Sequence, residues 1–261
     1  MAGREAAIGL AKKYLVDCIY SSVRVEGLNM TFPQTQEIIR NAELAGVTTN
    51  DVLFVVNMRD AWKFVLDTLD EPMNIMYVRQ LNGICGHSLI YGCGAIRASD
   101  VYITGTTYKP PVPQHSDIVD ALSCLMEEKD SLRRAILTFA YLAKAQLFID
   151  GNKRVAQLAA NQILVSSGVG VLKIPDTNVN TFSGCLVDYY ETGGNSLLHY
   201  LEEECLIRAQ TVDMLRYRGI NFTVDEIVAA LPKALRDGYS SNRECAEANI
   251  GLYYEILCKQ S

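Results

Sequence analysis

Residues 146–154 read QLFIDGNKR, a charged turn set between two apolar helical patterns, SLRRAILTFAYLAKAQLF before and into it and VAQLAANQILVSSG after it. Gly151 permits a tight reversal of the backbone between the two helices. The helix that begins near Asn152 presents unpaired N–H groups and the positive end of its dipole, and such an end binds anions. Lys153 adds a point charge and Arg154 a planar, two-pronged donor, both suited to phosphate oxygens. Asp150 is a hard oxygen ligand of the kind that a magnesium ion carrying phosphates needs. The residue at the head of the stretch departs from this set. Gln146 stands where a proton acceptor would be useful, and glutamine cannot accept a proton at neutral pH. Taken alone, the turn also reads as a connector with an exposed ion pair.

The rest of the 261-residue chain is 49% hydrophobic and 21% charged, an ordinary globular balance. Its length fits one large domain, or one domain with helical extensions. The formal net charge is -6, so there is no basic footprint for DNA or RNA. The eight cysteines form no C-x-x-C pair, which argues against zinc. The N-terminal MAGREAAIGLAKKYLVD is charged throughout and does not read as a signal peptide. No window holds the roughly 18 apolar residues of a membrane span. A cytoplasmic protein with reduced, mostly buried thiols is expected.

Hydrophobic periodicity predicts a helix over 5–21, one from Thr31-Phe32-Pro33 to a glycine stop at Gly46, one over 50–70, and one opened by Pro72. GHSLIYGCGAIRASDVYITGTTYKPP changes character. Val101–Thr104, the turn residue Gly105 and Thr106–Tyr108 read as a β-hairpin closed by Pro110-Pro111. A lone hairpin is marginal in water, so it must pack on the helices around it. DIVDALSCLMEE follows, then the two helices flanking QLFIDGNKR, with Asp130 as N-cap of the first and Gly168 ending the second. Phe182–Tyr190 and Ser196–Ala209 are two more predicted helices. TVDEIVAALPKAL and ECAEANIGLYYEILCK, with Thr223 and Asn242 as capping signals, close the chain. The fold class is mainly α with one hairpin. Three segments are expected: an N-terminal helical segment 1–80, a core 81–210 and a helical extension 211–261, the last open to reading as a docking module or as the element of a homo-oligomer.

Leu147–Arg154 resembles the signature of the Fic (Fido) family, H-x-F-x-[DE]-G-N-[GK]-R. Gly94-Ala95-Ile96-Arg97, Val101-Tyr102-Ile103, Gly105 and Tyr108-Lys109-Pro110-Pro111 resemble the flap hairpin of that family. Ser22-Val23-Arg24-Val25-Glu26-Gly27 matches its inhibitory motif, [ST]-x-x-x-E-[GN]. Phe182 through Tyr189-Tyr190-Glu191-Thr192-Gly193 to Cys205 resembles its closing helices. The resemblance spans roughly residues 15–210. It implies a Fic/Fido-type helical bundle with a β-hairpin flap. It also implies transfer of AMP from ATP, with Mg2+, to a Ser, Thr or Tyr hydroxyl of a target protein. A subgroup resembling the Doc toxin carries Lys in the turn, as Lys153 does here, and transfers phosphate. By the same resemblance, Gln146, Asp150 and Arg154 are the catalytic positions, with Asp150 the metal ligand. Gly151, Asn152, Lys153, Arg154 and Gln157 are the nucleotide-binding positions. Ser22, Glu26 and Gly27 are inhibitory, and Val101, Ile103 and Tyr108 of the flap pair with an extended target segment by strand addition.

Two positions depart from the family pattern. Gln146 replaces the histidine that serves as general base, a contribution worth about 10²–10⁴-fold. Phosphoryl-type transfer leans on positioning and charge neutralisation, so some activity can survive without a base. Gln157 replaces a second arginine that binds phosphate or pairs with the inhibitory glutamate, which leaves Lys153 or Arg154 to pair with Glu26. Of the three histidines, His87, His115 and His199, only His115 sits in a loop that could face the site. The readings that follow are a slow or restrained AMP transferase, a phosphotransferase, a non-catalytic nucleotide-binding or protein-binding module, and a plain helical scaffold.

Overall fold

The computed structural model describes residues 2–209, 223–231, 235–236, 239–246, 248–249 and 253. Two compact units divide the chain. The larger consists of Leu15–Ile163 and Leu172–Leu206, and the smaller of Met1–Tyr14, Leu164–Val171 and Ile207–Ser261. This is not the expected division at 80 and 210. The first fourteen residues group with the tail because helix α1 (Ala2–Lys13) turns small residues toward it. A Cβ on Gly9 would lie 2.6 Å from Ala248 Cβ and 2.8 Å from Glu244 O, so the backbones approach too closely for a side chain. Lys12 and Glu244 close the contact with a 2.7 Å ion pair. In the smaller unit Ile227, Leu231, Cys245, Ala246 and Tyr253 form a buried cluster.

The larger unit is helical: α2 (Leu15–Val25), α3 (Phe32–Asn41), α4 (Thr49–Asp67), α5 (Ile75–Cys85), α6 (His115–Glu127), α7 (Ser131–Ala145), most of α8 (Asn152–Ser166), α9 (Val179–Thr192) and α10 (Ser196–Tyr200). Trp62, Phe139, Phe148 and Phe182 are its largest fully buried side chains, and Phe139 meets Phe182 edge to face at 6.1 Å. The predicted caps are in place. Thr31 and Gln34 form a reciprocal capping box ahead of Pro33, and Asp130 accepts from the Leu132 and Arg133 amides at 2.9 and 3.2 Å. Thr223 caps α11 (Val224–Ala230) in the same reciprocal way with Glu226.

Other boundaries differ from expectation. The helix predicted over 5–21 breaks at Tyr14, because Ala7, Leu10 and Ala11 serve the core of one unit and Cys18, Ile19 and Val23 that of the other. The α3 helix stops at Asn41, five residues short of the predicted stop at Gly46, where Ala42 takes a left-handed φ of 57° and donates to Ile38 O; Gly46 lies beyond, in the loop. Ser196–Ala209 is not one helix. After α10 comes one wide turn, Leu201–Cys205, and then strand β2 (Leu206–Arg208), which pairs antiparallel with β1 (Gly170–Leu172). Ser241, rather than Asn242, caps the next helical stretch by accepting from Glu244 N at 3.1 Å. The remainder of ECAEANIGLYYEILCK lies largely outside the described residues.

The expected hairpin over 101–108 is a turn without a ladder. The chain reverses at Thr104–Gly105, with Gly105 at φ +86°, but neither arm is a strand. The two-stranded sheet is the β1–β2 pair instead. Two short arms on their own give too few ladder bonds to hold a strand pair. Side chains hold this segment, as described below. No helix among the described residues is long and apolar enough to cross a membrane.

Candidate active site

The turn between α7 and α8 is built around Gln146 and Asn152. Gln146 ends α7 in a left-handed conformation (φ 47°, ψ 59°). Its Nε2 donates to Ala143 O at 2.7 Å, and its Oε1 accepts from Asn152 Nδ2 at 3.0 Å. Asn152 folds back on the same turn, accepting from Phe148 N at 3.0 Å and donating to Phe148 O at 2.8 Å. The buried Tyr190 hydroxyl also hydrogen-bonds the Gln146 side chain, while burial pushes its pKa up. Both ends of the Gln146 amide are therefore engaged within the protein. Gly151, at φ +82°, completes the reversal; a Cβ there would stand 3.0 Å from Asn82 Nδ2. Asn82 in turn donates to Asp150 O at 2.9 Å and accepts from Gly94 N at 2.8 Å.

Arg97 secures the turn from the other side. It is 3% exposed. Its guanidinium donates to the carbonyls of Gln146 (2.5 Å), Ser99 (2.7 Å), Pro110 (3.3 Å) and Pro111 (2.6 Å). Desolvation lowers its pKa, and nearby Asp100 opposes that shift.

Glu26 faces the charged end of the turn. The α2 helix ends in a Schellman motif: Leu28 N donates to Val23 O and Gly27 N to Arg24 O, with Gly27 at φ +72°. This geometry sends Glu26 across to Lys153 Nζ at 3.3 Å and to Arg154 Nε at 3.6 Å. Arg154 also donates through Nη2 to Asp150 Oδ2 (3.0 Å) and through Nη1 to Cys85 O (3.3 Å), and its guanidinium lies 5.1 Å from the Phe54 ring centre. Burial pushes the Cys85 thiol up to about 12, against the pull of Arg154. Ser22 donates to Cys18 O at 3.1 Å and to Gln157 Oε1 at 3.0 Å. The segment Ser22–Gly27 is thus tied to α8 twice, by a neutral bond at Ser22 and a charged one at Glu26.

A cavity of about 260 Å³ opens in front of these groups. Glu26, Gln146, Asp150, Asn152, Lys153 and Ile103 line it. Several expected site residues stand elsewhere. Gln157 is 3% exposed and serves as the Ser22 partner rather than facing the cavity; its Nε2 is buried without a hydrogen-bond partner. Val101 is not in the lining, and Tyr108 stacks on Tyr190 with ring centres 6.0 Å apart. His115 is exposed at the start of α6, and neither it nor His87 or His199 lines the cavity. One wall of the cavity comes from α9, through Phe182, Ser183, Leu186, Val187 and Tyr190, to none of which the sequence assigns a site role. The spacing of Leu186 and Tyr190 from Phe182, four and eight residues on, marks one face of a helix but does not say what that face meets.

The donor set bears on a metal. No group of three His, Cys, Asp or Glu side chains that could hold one occurs among the described residues. Asp150, with its side chain 61% exposed at the cavity, is a single carboxylate. That fits magnesium arriving with a nucleotide, since the ion takes one or two carboxylates and fills its other positions with phosphate oxygens and water.

The larger unit is helical, with Glu26 facing the turn at the head of α8, and the chain has a Fic-type fold, as its superposition on solved Fic structures shows. Residues 72–164 match the model of the Fic/DOC family. Among solved structures, Fic-1 (aa134 - 508) from C. elegans superposes with a TM-score of 0.65 at 19% identity, over 98% of this chain and 67% of that one. A Fic domain containing signaling protein from Bacteroides thetaiotaomicron gives 0.63 at 18% identity, over 74% and 82%. By sequence the chain is distantly homologous to protein adenylyltransferases. It is 25% identical over 167 residues to protein adenylyltransferase fic-1 of Caenorhabditis elegans, covering 60% of this chain and 33% of the relative. It is 28% identical over 181 residues to protein adenylyltransferase Fic of Drosophila ananassae, covering 65% and 36%. The chain thus spans about a third of the length of these relatives.

Proposed function

We propose that the cavity at the head of α8 binds Mg–ATP and passes AMP slowly to a hydroxyl of a target protein, with Glu26 as the restraint. The observation that carries this reading is the Glu26 carboxylate lying on Lys153 and Arg154 at 3.3 and 3.6 Å, where a phosphate would lie. In transfer, the target hydroxyl oxygen forms a bond to the α-phosphorus and the bond from that phosphorus to the leaving pyrophosphate breaks. The hydroxyl proton goes to solvent, because no base replaces Gln146. Lys153, Arg154 and the first-turn amides of α8 would neutralise the phosphates, and Asp150 would hold the magnesium, which would add positive charge at the same oxygens.

Two other readings are supported by particular residues. Lys153 in the turn favours transfer of the γ-phosphate, and the fully engaged Gln146 amide favours nucleotide binding without transfer. Incubation with Mg2+ and ATP labelled at the α- or the γ-phosphate separates the three. Protein-bound α-label is the expected result, γ-label alone means phosphate transfer, and neither label with ATP binding intact means a non-catalytic site.

Glu26→Gly is expected to tighten Mg–ATP binding about ten-fold, since the carboxylate no longer competes with phosphate for Lys153 and Arg154. Isothermal titration of the variant against the parent measures this directly; equal affinities would remove Glu26 from the role of restraint.

A further inference from the structure

We propose that Glu191, on α9, is a positioning residue that clasps the loop 101–108 and presents its first arm to the target; the target-binding half rests on the transfer reading above. The loop has no strand ladder to give it shape. Its two roots are held by Arg97, whose guanidinium takes Ser99 O before the loop and Pro110 O and Pro111 O after it. Its second arm is held by Glu191 alone among carboxylates in the described contacts. Glu191 Oε1 accepts from Thr106 Oγ1 at 2.9 Å, from Thr107 N at 3.1 Å and from Thr107 Oγ1 at 3.4 Å. The Thr107 amide and the Thr106 hydroxyl hold this carboxyl below its ordinary range, as expected for a carboxylate that accepts several bonds.

The neighbouring contacts give the clasp a direction. Tyr108 stacks on Tyr190 and lies 5.2 Å from Lys144 Nζ, which donates to Tyr189 O at 2.9 Å. Residues 106–108 are thereby fastened along α9. The first arm behaves differently: Tyr102, Ile103 and Thr104 line the nucleotide cavity, and Tyr102 is 81% exposed. With one arm fastened and the other presented, an extended segment has a single edge to pair with, and that edge lies at the phosphates. Thr106 and Thr107 each bring a hydroxyl to Glu191, and an alanine at either position would remove one.

Hydrogen–deuterium exchange of the full chain tests the clasp without needing any transfer. In Glu191→Ala, exchange over residues 101–108 is expected to rise about three- to ten-fold, with the rest of the larger unit unchanged. Glu191→Gln keeps an acceptor oxygen and is expected to restore most of the protection. With β-casein as acceptor and α-labelled ATP, Glu191→Ala raises KM for the acceptor by a similar factor and leaves KM for ATP as it was. Unchanged exchange over 101–108, a rise spread over the whole unit, no recovery in the Gln variant, or equal shifts in both KM values would each overturn the proposal. If the parent labels no acceptor, the transfer reading fails on its own, and the exchange result still decides whether Glu191 holds the loop.

Discussion

Gln146→His, introduced together with Glu26→Gly, is expected to raise AMP incorporation by about 10²–10⁴-fold over Glu26→Gly alone, the range attributed to general acid–base catalysis. The structure bears on whether the site can accept the change. Position 146 is left-handed, a conformation in which histidine is several-fold enriched among non-glycine residues. The exchange gives up the bond from Gln146 Nε2 to Ala143 O and the acceptor for Asn152 Nδ2. Asn152 keeps both of its bonds to Phe148, so the turn retains its inner brace. With the Tyr190 hydroxyl bond, three neutral hydrogen bonds of the Gln146 amide are given up, and the expected loss of stability is about 3 kcal/mol at about 1 kcal/mol each. The Glu26 change is included because, on the proposed reading, a base gains nothing while the Glu26 carboxylate rests on Lys153 and Arg154 where phosphate is to bind. Incorporation is followed with α-labelled ATP in single-turnover experiments. A double variant that binds ATP but labels no faster than Glu26→Gly would show that proton removal is not what limits this site.

Arg97→Met is expected to destabilise the larger unit by about 3 kcal/mol or more, because hydrogen bonds from a charged group are lost and their buried acceptors left unpaired. The methionine fills much of the same space, so the loss reports polar partners rather than a cavity. Four carbonyls lose their donor: Gln146, Ser99, Pro110 and Pro111. Two belong to prolines at the far root of the loop, and one belongs to the residue whose left-handed backbone starts the phosphate turn. Arg97→Lys is expected to recover only part of the loss, since an ammonium cannot reproduce the fixed fork of a guanidinium. Urea unfolding measures both, as a lower midpoint with an unchanged slope. Wild-type stability in the Met variant would mean that the loop and turn do not depend on this hub.

Most of the helical framework was legible because helices announce themselves locally. The Thr31–Gln34 box, the Asp130 cap and the apolar periods of α4, α7 and α8 are properties of short stretches, and each stands where it was expected. The errors occur where a distant partner overrides the local pattern. Leu206-Ile207 continues a helical stripe by sequence, yet it becomes a strand because Gly170–Leu172 supplies a ladder partner. Val101–Tyr108 alternates as a strand should, yet no third strand or packed face supports it, and side chains from α9 hold it instead. Ala42 ends α3 in a left-handed turn that a glycine would have advertised.

The candidate site divides along the same line. Asp150-Gly151-Asn152-Lys153-Arg154 shows a reversal, two cations and a helix start within five residues, a set whose chemistry suits anions before any fold is known. That Gln146 is no base is equally legible, since it follows from the chemistry of an amide. The folded chain is what brings Glu26 onto Lys153 and Arg154, Gln157 onto Ser22, partners to both ends of the Gln146 amide, and Glu191 within hydrogen-bond reach of Thr106 and Thr107. Each of these joins groups carried by different segments. A carboxylate, an amide or a guanidinium has several acceptable partners in any sequence, and the packing of α2, α8 and α9 around one core selects among them.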